Sequence, residues 1–488
     1  MRTGLLVLIS LLAMDVEPVR SQANAPAPAD LVERALQAMG GEAAVRGLRN
    51  KTIEFNSASF GLGQEETPLS PPRATLSFGR IVSDFAGRRQ LTTQEVRAIN
   101  GTVNRQRRII TAGMGMTDNN GNLSLDQPAA LAAVLRGMGL QPERFLLTAM
   151  DNVAALSALR PGTFRGETLD GLRYAIGSDT MNLWFDRPTG RVVVSEILSD
   201  DGVLGDRRTL TWYTRWQDAG GVMLPRQFDT EVNGRILSNN VVTSATINQG
   251  LDDTLFAIPD SLAARAPRGP ATPPVVTVNL VQLGPGVWRA EGGTHHSLVV
   301  EQGQNLLVVE GPQSSARSKA VLDTLRSRLG GRTVSAVVAT HHHHDHSGGL
   351  REYMAQGIPV IAHARNVSFV QGIAAARKTV APDGLSRGGR APQVRSVRDT
   401  LVVGSGESQV VLYPIATAHV EGILAAWVPS ARILFTSDVL SPVANQPIAK
   451  PGSVELVTFA RLNGLAPSRF VGGHGVVVEW SAVEAAAR

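Results

Sequence analysis

Six consecutive residues, His341 to His346, combine five of the ten histidines in the chain with one carboxylate, that of Asp345. Imidazole and carboxylate groups are the ligands with which proteins bind zinc and related metals. Residues two apart in an extended segment point to the same side, so His341 and His343 are expected to converge on one metal. Asp345 and His346 are expected to reach a second position beside it.

A histidine-rich tract of this kind can also bind metal loosely, without forming a defined site. Three other candidate ligands argue against that alternative, because His419, Asp438 and His474 each follow a short apolar run typical of a strand. Side chains at strand ends can be brought together, so these residues and the tract are predicted to build one site. His342 and His344 are predicted to face away from it.

The elements around the tract are indicated by the apolar pattern. Residues 334–339 form a short, β-branched run typical of a buried strand, and residues 350–355 have a helical pattern. The histidine-rich segment is therefore predicted to be a loop that leads from a strand to a helix.

The order and spacing of these motifs resemble the metallo-β-lactamase fold superfamily over residues 275–488. The resemblance is carried by His-x-His-x-Asp-His at His341–His346, the downstream His419, Phe-Thr-Ser-Asp ending at Asp438, and Gly-Gly-His-Gly around His474. It implies an αββα sandwich, in which two sheets pack face to face with helices outside. It does not imply one substrate, because a fold of this kind supports many chemistries.

The resemblance also implies a binuclear metal centre, with two Zn2+ ions as the expected cofactors and iron as the alternative. Seven residues are implied as ligands: His341, His343 and His419 for one ion, Asp345, His346 and His474 for the other, and Asp438 as the bridge. Two ions about 3.5–4 Å apart hold a hydroxide, because a metal lowers the pKa of its bound water from about 15.7 to about 7. Asp345 is also expected to be catalytic, by orienting that hydroxide or passing its proton to the leaving group.

Two positions distinguish the chain from other branches of that superfamily. The chain has no cysteine, so the β-lactamases with a cysteine ligand are not matched, and Asp438 stands at the corresponding place. A bridging aspartate resembles the glyoxalase II, lactonase and phosphodiesterase branches. At residues 308–311 the chain has Val-Val-Glu-Gly where the superfamily commonly has Asp-x-Gly, and Glu310 is expected to orient a ligand histidine from behind.

Substrate contacts are predicted from position relative to the ligands. His295 and His296 enter a predicted strand near the mouth of the site, and His296 is a candidate for substrate binding; an ordinary turn is the alternative. Lys450, in the loop after Asp438, is the leading candidate to anchor a substrate carboxylate. The arginine- and glycine-rich residues 374–399 are either a solvated loop or a mobile, positively charged lid.

The chain before the metal domain divides into three predicted segments. Residues 1–23 have the charged start, apolar core and small-x-small site of a secretory signal. Residues 24–262 are predicted to form a β-rich accessory domain, because residues 51 to about 259 alternate mostly in the manner of short strands. Residues 263–274 are a proline-rich linker to the metal domain, which covers residues 275–488.

The β-rich segment loosely resembles the open β-barrel domains of lipoprotein-carrier type. Residues 182–186 and 221–225 carry that resemblance. It implies a lipophilic ligand, and the alternative is a domain that only packs against the enzyme. The expected fold class is therefore α+β, with an open-barrel-like domain before the αββα sandwich.

Composition excludes several kinds of partner. The net charge of +5 comes without a dense, aromatic-interleaved arginine cluster, so nucleic acid is not expected to bind. No apolar run is long enough to cross a membrane, and the absence of cysteine excludes disulfides. The sequence predicts a periplasmic or secreted zinc hydrolase that acts on a small ester, lactone, thioester or β-lactam. The alternatives are a phosphodiesterase and an iron-dependent oxidoreductase.

Overall fold

The computed structural model describes residues 26–98, 101–176, 179–266, 275–388 and 391–488. The predicted secretory signal, residues 1–23, lies outside the described residues, as do residues 267–274 of the predicted linker. Within the described part, no helix is long and apolar enough to span a membrane. We refer to residues 26–266 as the amino-terminal region and to residues 275–488 as the carboxyl-terminal region.

The amino-terminal region is built around one antiparallel sheet of 13 strands. Its strands are β1 (Asn50–Phe60), β2 (Ala74–Asp84), β3 (Arg89–Arg97), β4 (Val103–Ile110), β5 (Gly115–Asn119), β6 (Asn122–Leu125), β7 (Leu156–Phe164), β8 (Glu167–Ile176), β9 (Asp179–Phe185), β10 (Val192–Asp201), β11 (Gly205–Asp218), β12 (Met223–Val232) and β13 (Arg235–Ile247). Strands adjacent in sequence pair as neighbours, except β6 and β7, which lie at opposite edges, and β1 also pairs with β13, which joins the two halves of the sheet. Tight turns set this order: Asn233 and Gly234, between β12 and β13, both have positive φ, as a two-residue hairpin turn requires.

Five helices accompany this sheet: α1 (Pro28–Ala38), α2 (Glu42–Arg46), α3 (Pro128–Gly139), α4 (Pro142–Asp151) and α5 (Asp260–Ala263). Helices α1, α3 and α4 each begin at a proline, whose fixed φ suits the first helical position. Leu36 of α1 and Phe145 of α4 share one core with Leu172 and Leu183 of the sheet. This apolar contact holds α1 and α4 on one face of the sheet.

The carboxyl-terminal region contains two mixed sheets. The first consists of β14 (Asn279–Gly284), β15 (Val287–Glu291), β16 (Ser297–Gln302), β17 (Asn305–Val309), β18 (Thr333–Ala339), β19 (Val360–His363) and β20 (Val394–Val397). The second consists of β21 (Leu401–Val403), β22 (Val410–Ile415), β23 (Ile423–Val428), β24 (Ile433–Phe435), β25 (Arg469–Val471) and β26 (Val478–Glu479). The helices are α6 (Ser315–Arg328), α7 (His344–Ser347), α8 (Leu350–Ala355), α9 (Val367–Ala375), α10 (Gly384–Gly388), α11 (Lys450–Leu462) and α12 (Trp480–Ala487).

Strand β17 shows how these elements form layers. Leu306 and Val308 pack against the core of α6 and α8, whereas Leu307 and Val309 pack against the second sheet. Both faces of the strand are thus buried, which explains its continuous apolar run. Helices α11 and α12 cover the outer face of the second sheet. These four layers are the expected αββα sandwich, and the predicted combination of this fold with a β-rich amino-terminal region is confirmed.

The predicted long loop at residues 374–399 is corrected by the structure. It contains α10 and β20, and its residues 389–390 lie outside the described part. The guanidinium of Arg351, 1% exposed, donates to the Asp383 carboxylate, which holds the segment onto α8. The backbone N–H of Thr379 donates to Asp206 Oδ1 of the amino-terminal region at 2.7 Å. These anchors argue against a mobile lid.

Candidate metal centre

The histidine-rich segment connects β18 with α7. His341 to His343 lie in the loop after Ala339, and α7 begins at His344. The chain then passes very close to α6, because a Cβ at Gly349 would lie 2.1 Å from Ser318 Oγ. Only glycine allows this approach. The strand, the loop and this contact together fix the direction in which each histidine points.

The first group of candidate ligands contains one ligand atom each from His341, His343, His419 and Asp438, all within 4.8 Å of one another. Buried and without a hydrogen-bond partner are His341 Nε2, His343 Nδ1 and His419 Nε2. Buried polar atoms are normally paired, so three unpaired nitrogens around one point indicate a cation-binding position. Burial lowers the pKa of His341 far below its ordinary value and that of His419 to about 4, so both rings are neutral at pH 7.

The second group, with its ligand atoms also within 4.8 Å of one another, contains His295, Asp345, His346 and His474. His346 Nε2 and His474 Nε2 lie 3.2 Å apart. The Nδ1 atom of His346 contacts the Glu310 carboxylate, and that of His474 lies 2.9 Å from the carbonyl oxygen of Thr294. With a cation bound, both rings would be neutral, with Nδ1 donating to these acceptors and Nε2 directed at the ion.

Asp438 lies between the two groups. Its Oδ2 is 3.0 Å from His346 Nε2 and 3.4 Å from His419 Nε2, and its Oδ1 is 3.2 Å from His474 Nε2. Burial raises the pKa of this carboxyl, but contacts with His346 and His474 outweigh burial and hold the pKa well below its ordinary range. The carboxylate is therefore ionised and faces ligands of both groups.

Glu310, immediately after β17, is completely buried; it contacts the second group directly and the first group through Thr340. Its Oε1 contacts His346 Nδ1 directly and accepts a hydrogen bond of 3.1 Å from Thr340 Oγ1, which in turn lies 3.1 Å from His341 Nδ1. Burial lowers the pKa of His346, but the carboxylates of Glu310 and Asp438 outweigh it and raise the pKa to about 10. The structure thus places Glu310 where the sequence predicts an orienting acid.

Replacing Glu310 with glutamine is expected to weaken zinc binding about 10- to 100-fold, because His346 loses its anionic acceptor and so does Thr340, which faces His341 Nδ1. Competition with a chromophoric chelator measures this affinity. Glu301→Gln is the matched control: Glu301 lies on the neighbouring strand β16, where it accepts a 2.9 Å hydrogen bond from Trp288 Nε1. Unchanged affinity in E310Q would contradict the orienting role.

His342 and His344 belong to neither group of candidate ligands. The His342 ring meets Phe369 edge-on, with centroids 5.8 Å apart, and His344 stacks on the same ring at 6.1 Å. The structure therefore brings together all seven residues predicted as ligands and turns the two intervening histidines toward α9.

His295 was not among the predicted ligands, yet its Nε2 lies 3.3 Å from Asp345 Oδ2. The adjacent pair of histidines was the available signal, but the sequence alone does not decide which ring faces the site. His296 has its backbone N–H bonded to the carbonyl oxygen of Gly473 at 2.8 Å, and its ring belongs to neither group. Burial and the nearby charge of Arg289 lower the pKa of the His296 ring to about 4.

Lys450 is not brought to the ligand groups by any described contact. It is the first residue of α11, and its Nζ donates to the carbonyl oxygen of Arg488 at 2.9 Å. The lysine thus connects the start of α11 with the end of α12.

Comparison with known proteins gives one family match. Residues 265–474 match the metallo-beta-lactamase superfamily. The chain is similar to a metallo-beta-lactamase from Pontibacter korlensis, with 16% identity over 43% of this chain and 97% of that chain and a TM-score of 0.35. It is also similar to the mono-zinc form of FIM-1 from Pseudomonas aeruginosa, with 15% identity over 44% of this chain and 95% of that chain and a TM-score of 0.35. A search of curated proteins gave no match.

Proposed function

We propose that the protein is an exported two-zinc hydrolase, because residues 265–474 match the metallo-beta-lactamase superfamily. Its substrate is a small molecule with an ester, lactone, thioester or β-lactam carbonyl. The observation that carries the proposal is the position of Asp438, whose two oxygens lie near ligand nitrogens of both groups. A shared carboxylate suits two ions about 3.5–4 Å apart.

Asp345 is the residue to which we assign the proton transfer. Zinc in this site would supply a water of lowered pKa and polarise the substrate carbonyl. The Asp345 side chain is 40% exposed, against 13% for Asp438, so it faces the opening of the site. Burial raises the pKa of Asp345, but the hydrogen bond from His295 and the charge of His346 outweigh burial and keep the carboxyl ionised. An ionised, accessible carboxylate can accept a proton and return it to a leaving group.

Two rivals share this ligand set. A phosphodiester is the rival substrate, because a pair of metals also suits in-line displacement at phosphorus. Iron is the rival metal, because histidine and carboxylate ligands bind iron as well as zinc. The rivals differ in metal content and in the reporter that is cleaved.

The deciding experiment combines metal analysis of the purified protein with a panel of ester, lactone, thioester, β-lactam and phosphodiester reporters. Close to two zinc ions per chain with cleavage of a carbonyl reporter is the expected result. Cleavage of the phosphodiester reporter alone would mean that the substrate is a phosphodiester and not a carbonyl compound. Iron without hydrolysis of any reporter would overturn the proposal. Fractionation of cells that produce the full chain tests export, with a periplasmic or secreted protein expected.

A cavity in the amino-terminal region favours a second candidate function, the binding of an apolar ligand. The cavity has a volume of about 430 Å3 and lies between α3, α4 and the sheet, with Ile53, Met138, Phe228 and Val242 in its wall. The ammonium of Lys51 contacts the Glu143 carboxylate in the same wall, which places a paired charge beside apolar surface. This lining suits a molecule with an apolar chain and one polar group.

Mass spectrometry of an organic extract of the purified protein tests this second function. A lipid recovered at close to one molecule per chain is expected, and Val242→Trp, which fills the cavity, should exclude it. An extract without lipid, together with no uptake of a fluorescent fatty acid, would reject the second function and leave the hydrolase proposal untouched.

A further inference from the structure

The loop between β1 and β2, residues 61–73, lies against the candidate metal centre. We propose that residues 63–66 and Arg73 of this β1–β2 loop are part of that centre: through them the amino-terminal region orients ligands of both metal positions and thereby sets their affinity. This inference rests on the metal binding in the proposed function, but not on the substrate. It gives the amino-terminal region a role that metal-ligand motifs in the carboxyl-terminal region do not indicate.

At the first position, the loop acts on His343. His343 Nε2 donates to the carbonyl oxygen of Glu65 at 2.9 Å, while His343 Nδ1 is buried and unpaired. A neutral imidazole carries one N–H, so the Glu65 carbonyl selects the tautomer whose free lone pair lies on Nδ1. Acceptors of this kind, placed behind a ligand histidine, fix the ring and raise its basicity. Here the acceptor comes from a residue 278 positions away in sequence.

At the second position, the loop acts on Asp345. Gln64 Nε2 donates to Asp345 Oδ1 at 2.8 Å, and His295 Nε2 lies 3.3 Å from Asp345 Oδ2. One oxygen of the carboxylate is therefore held by each region of the chain. A carboxylate held at both oxygens has a fixed orientation toward a metal.

The loop also contacts the segment that carries His419. Arg73 Nη2 donates to the carbonyl oxygen of His419 at 2.9 Å. The backbone N–H of Glu421 donates to the carbonyl oxygen of Glu66 at 2.9 Å. Contacts of the loop thus reach both chain segments that supply the imidazoles of the first group.

The loop is itself held in place by two features. The Glu65 side chain is 2% exposed, and its Oε1 accepts a 2.5 Å hydrogen bond from Arg235 Nη2 on β13. Gly63 has φ +79°, and its carbonyl oxygen accepts a 3.1 Å hydrogen bond from the backbone N–H of His344. A Cβ at Gly63 would lie 2.2 Å from Cγ of the His344 ring, so any side chain there moves the loop away from the ligands.

Alanine substitutions at two glycines of the loop form the main test. Gly63→Ala should weaken cobalt and zinc binding by the full chain about 10- to 100-fold and shift the d–d spectrum of the cobalt form. Gly61→Ala is the matched control, because its Cβ would meet only Gln64 Cβ at 3.5 Å and the Arg73 carbonyl oxygen at 3.7 Å. The control should keep the wild-type affinity and spectrum.

A second pair of variants tests the same inference in case G63A loses metal only because it fails to fold. Gln64 is exposed, and Gln64→Ala removes its hydrogen bond to Asp345. This variant should bind one of the two cobalt ions more weakly, while the thermal unfolding temperature of the metal-free protein stays unchanged. Its control is Gln94→Ala, which removes a 2.8 Å hydrogen bond to Gln106 on the same sheet. Wild-type cobalt affinity and spectrum in both G63A and Q64A would overturn the inference. Failure of the wild-type chain to bind cobalt or zinc would instead overturn the proposed function.

Discussion

Asp438→Ala should remove both metal ions and lower kcat/KM by about 10²- to 10³-fold or more, the scale on which loss of an electrostatic catalytic group acts. The reason is that no other described carboxylate contacts His346, His419 and His474 together. Without the Asp438 carboxylate, no negative charge is shared by the imidazoles of the two groups. Metal analysis after gel filtration and initial rates on the responsive reporter measure the two losses.

Two further variants separate charge from shape in that experiment. Asp438→Asn keeps the size of the side chain and removes its charge, so it should lose metal almost as completely as D438A. Asp399→Ala removes an exposed aspartate from the same region and should change neither metal content nor rate. If D438A retained two ions per chain, the bridging assignment would be wrong.

His341→Ala should abolish binding at the first metal position, whereas His342→Ala should leave metal content near two ions per chain. The two residues are adjacent histidines with the same exposure, 1%, so they form a closely matched pair. Only His341 directs an unpaired nitrogen at the other ligands of the first group; His342 packs on Phe369. Losing one imidazole ligand should also lower kcat/KM by about 10²- to 10³-fold.

Metal content and activity are measured for both variants alongside thermal unfolding, because H342A creates a cavity next to Phe369. A destabilised H342A that still binds two ions supports the assignment. Equal metal loss in the two variants would mean that the assignment of His341 as a ligand and His342 as a non-ligand is wrong.

The layered fold and the seven clustered residues could be predicted because local signals carry them. Strand β18 ends in a buried apolar run, residues 336–339, and the histidine-rich tract follows it closely. His419, Asp438 and His474 each follow an apolar run that ends at the same edge of the sandwich. Short-range patterns of this kind are dictated by strand geometry, which is local.

Other features depend on tertiary contacts that leave no local pattern. Gln64 and Asp345 are 281 residues apart, and a glutamine in a loop has no spacing that marks it as a partner of a ligand. The anchoring of Asp383 by Arg351 likewise turns an apparent long loop into an ordered segment. The substrate role of Lys450 rests on sequence distance from Asp438 alone and stays a prediction, while its Nζ contacts the carbonyl oxygen of Arg488 beside α12.

The β1–β2 connection also limits how this chain can change. Hairpin loops on a protein surface ordinarily tolerate insertions and deletions, because little depends on their length. This one contacts the ligand segments at Gly63, Gln64, Glu65 and Glu66, and again at Arg73. Adding or removing a residue between Gly63 and Glu66 would shift these contacts out of register. A graft of the carboxyl-terminal region onto another scaffold would need a substitute for this short stretch of backbone.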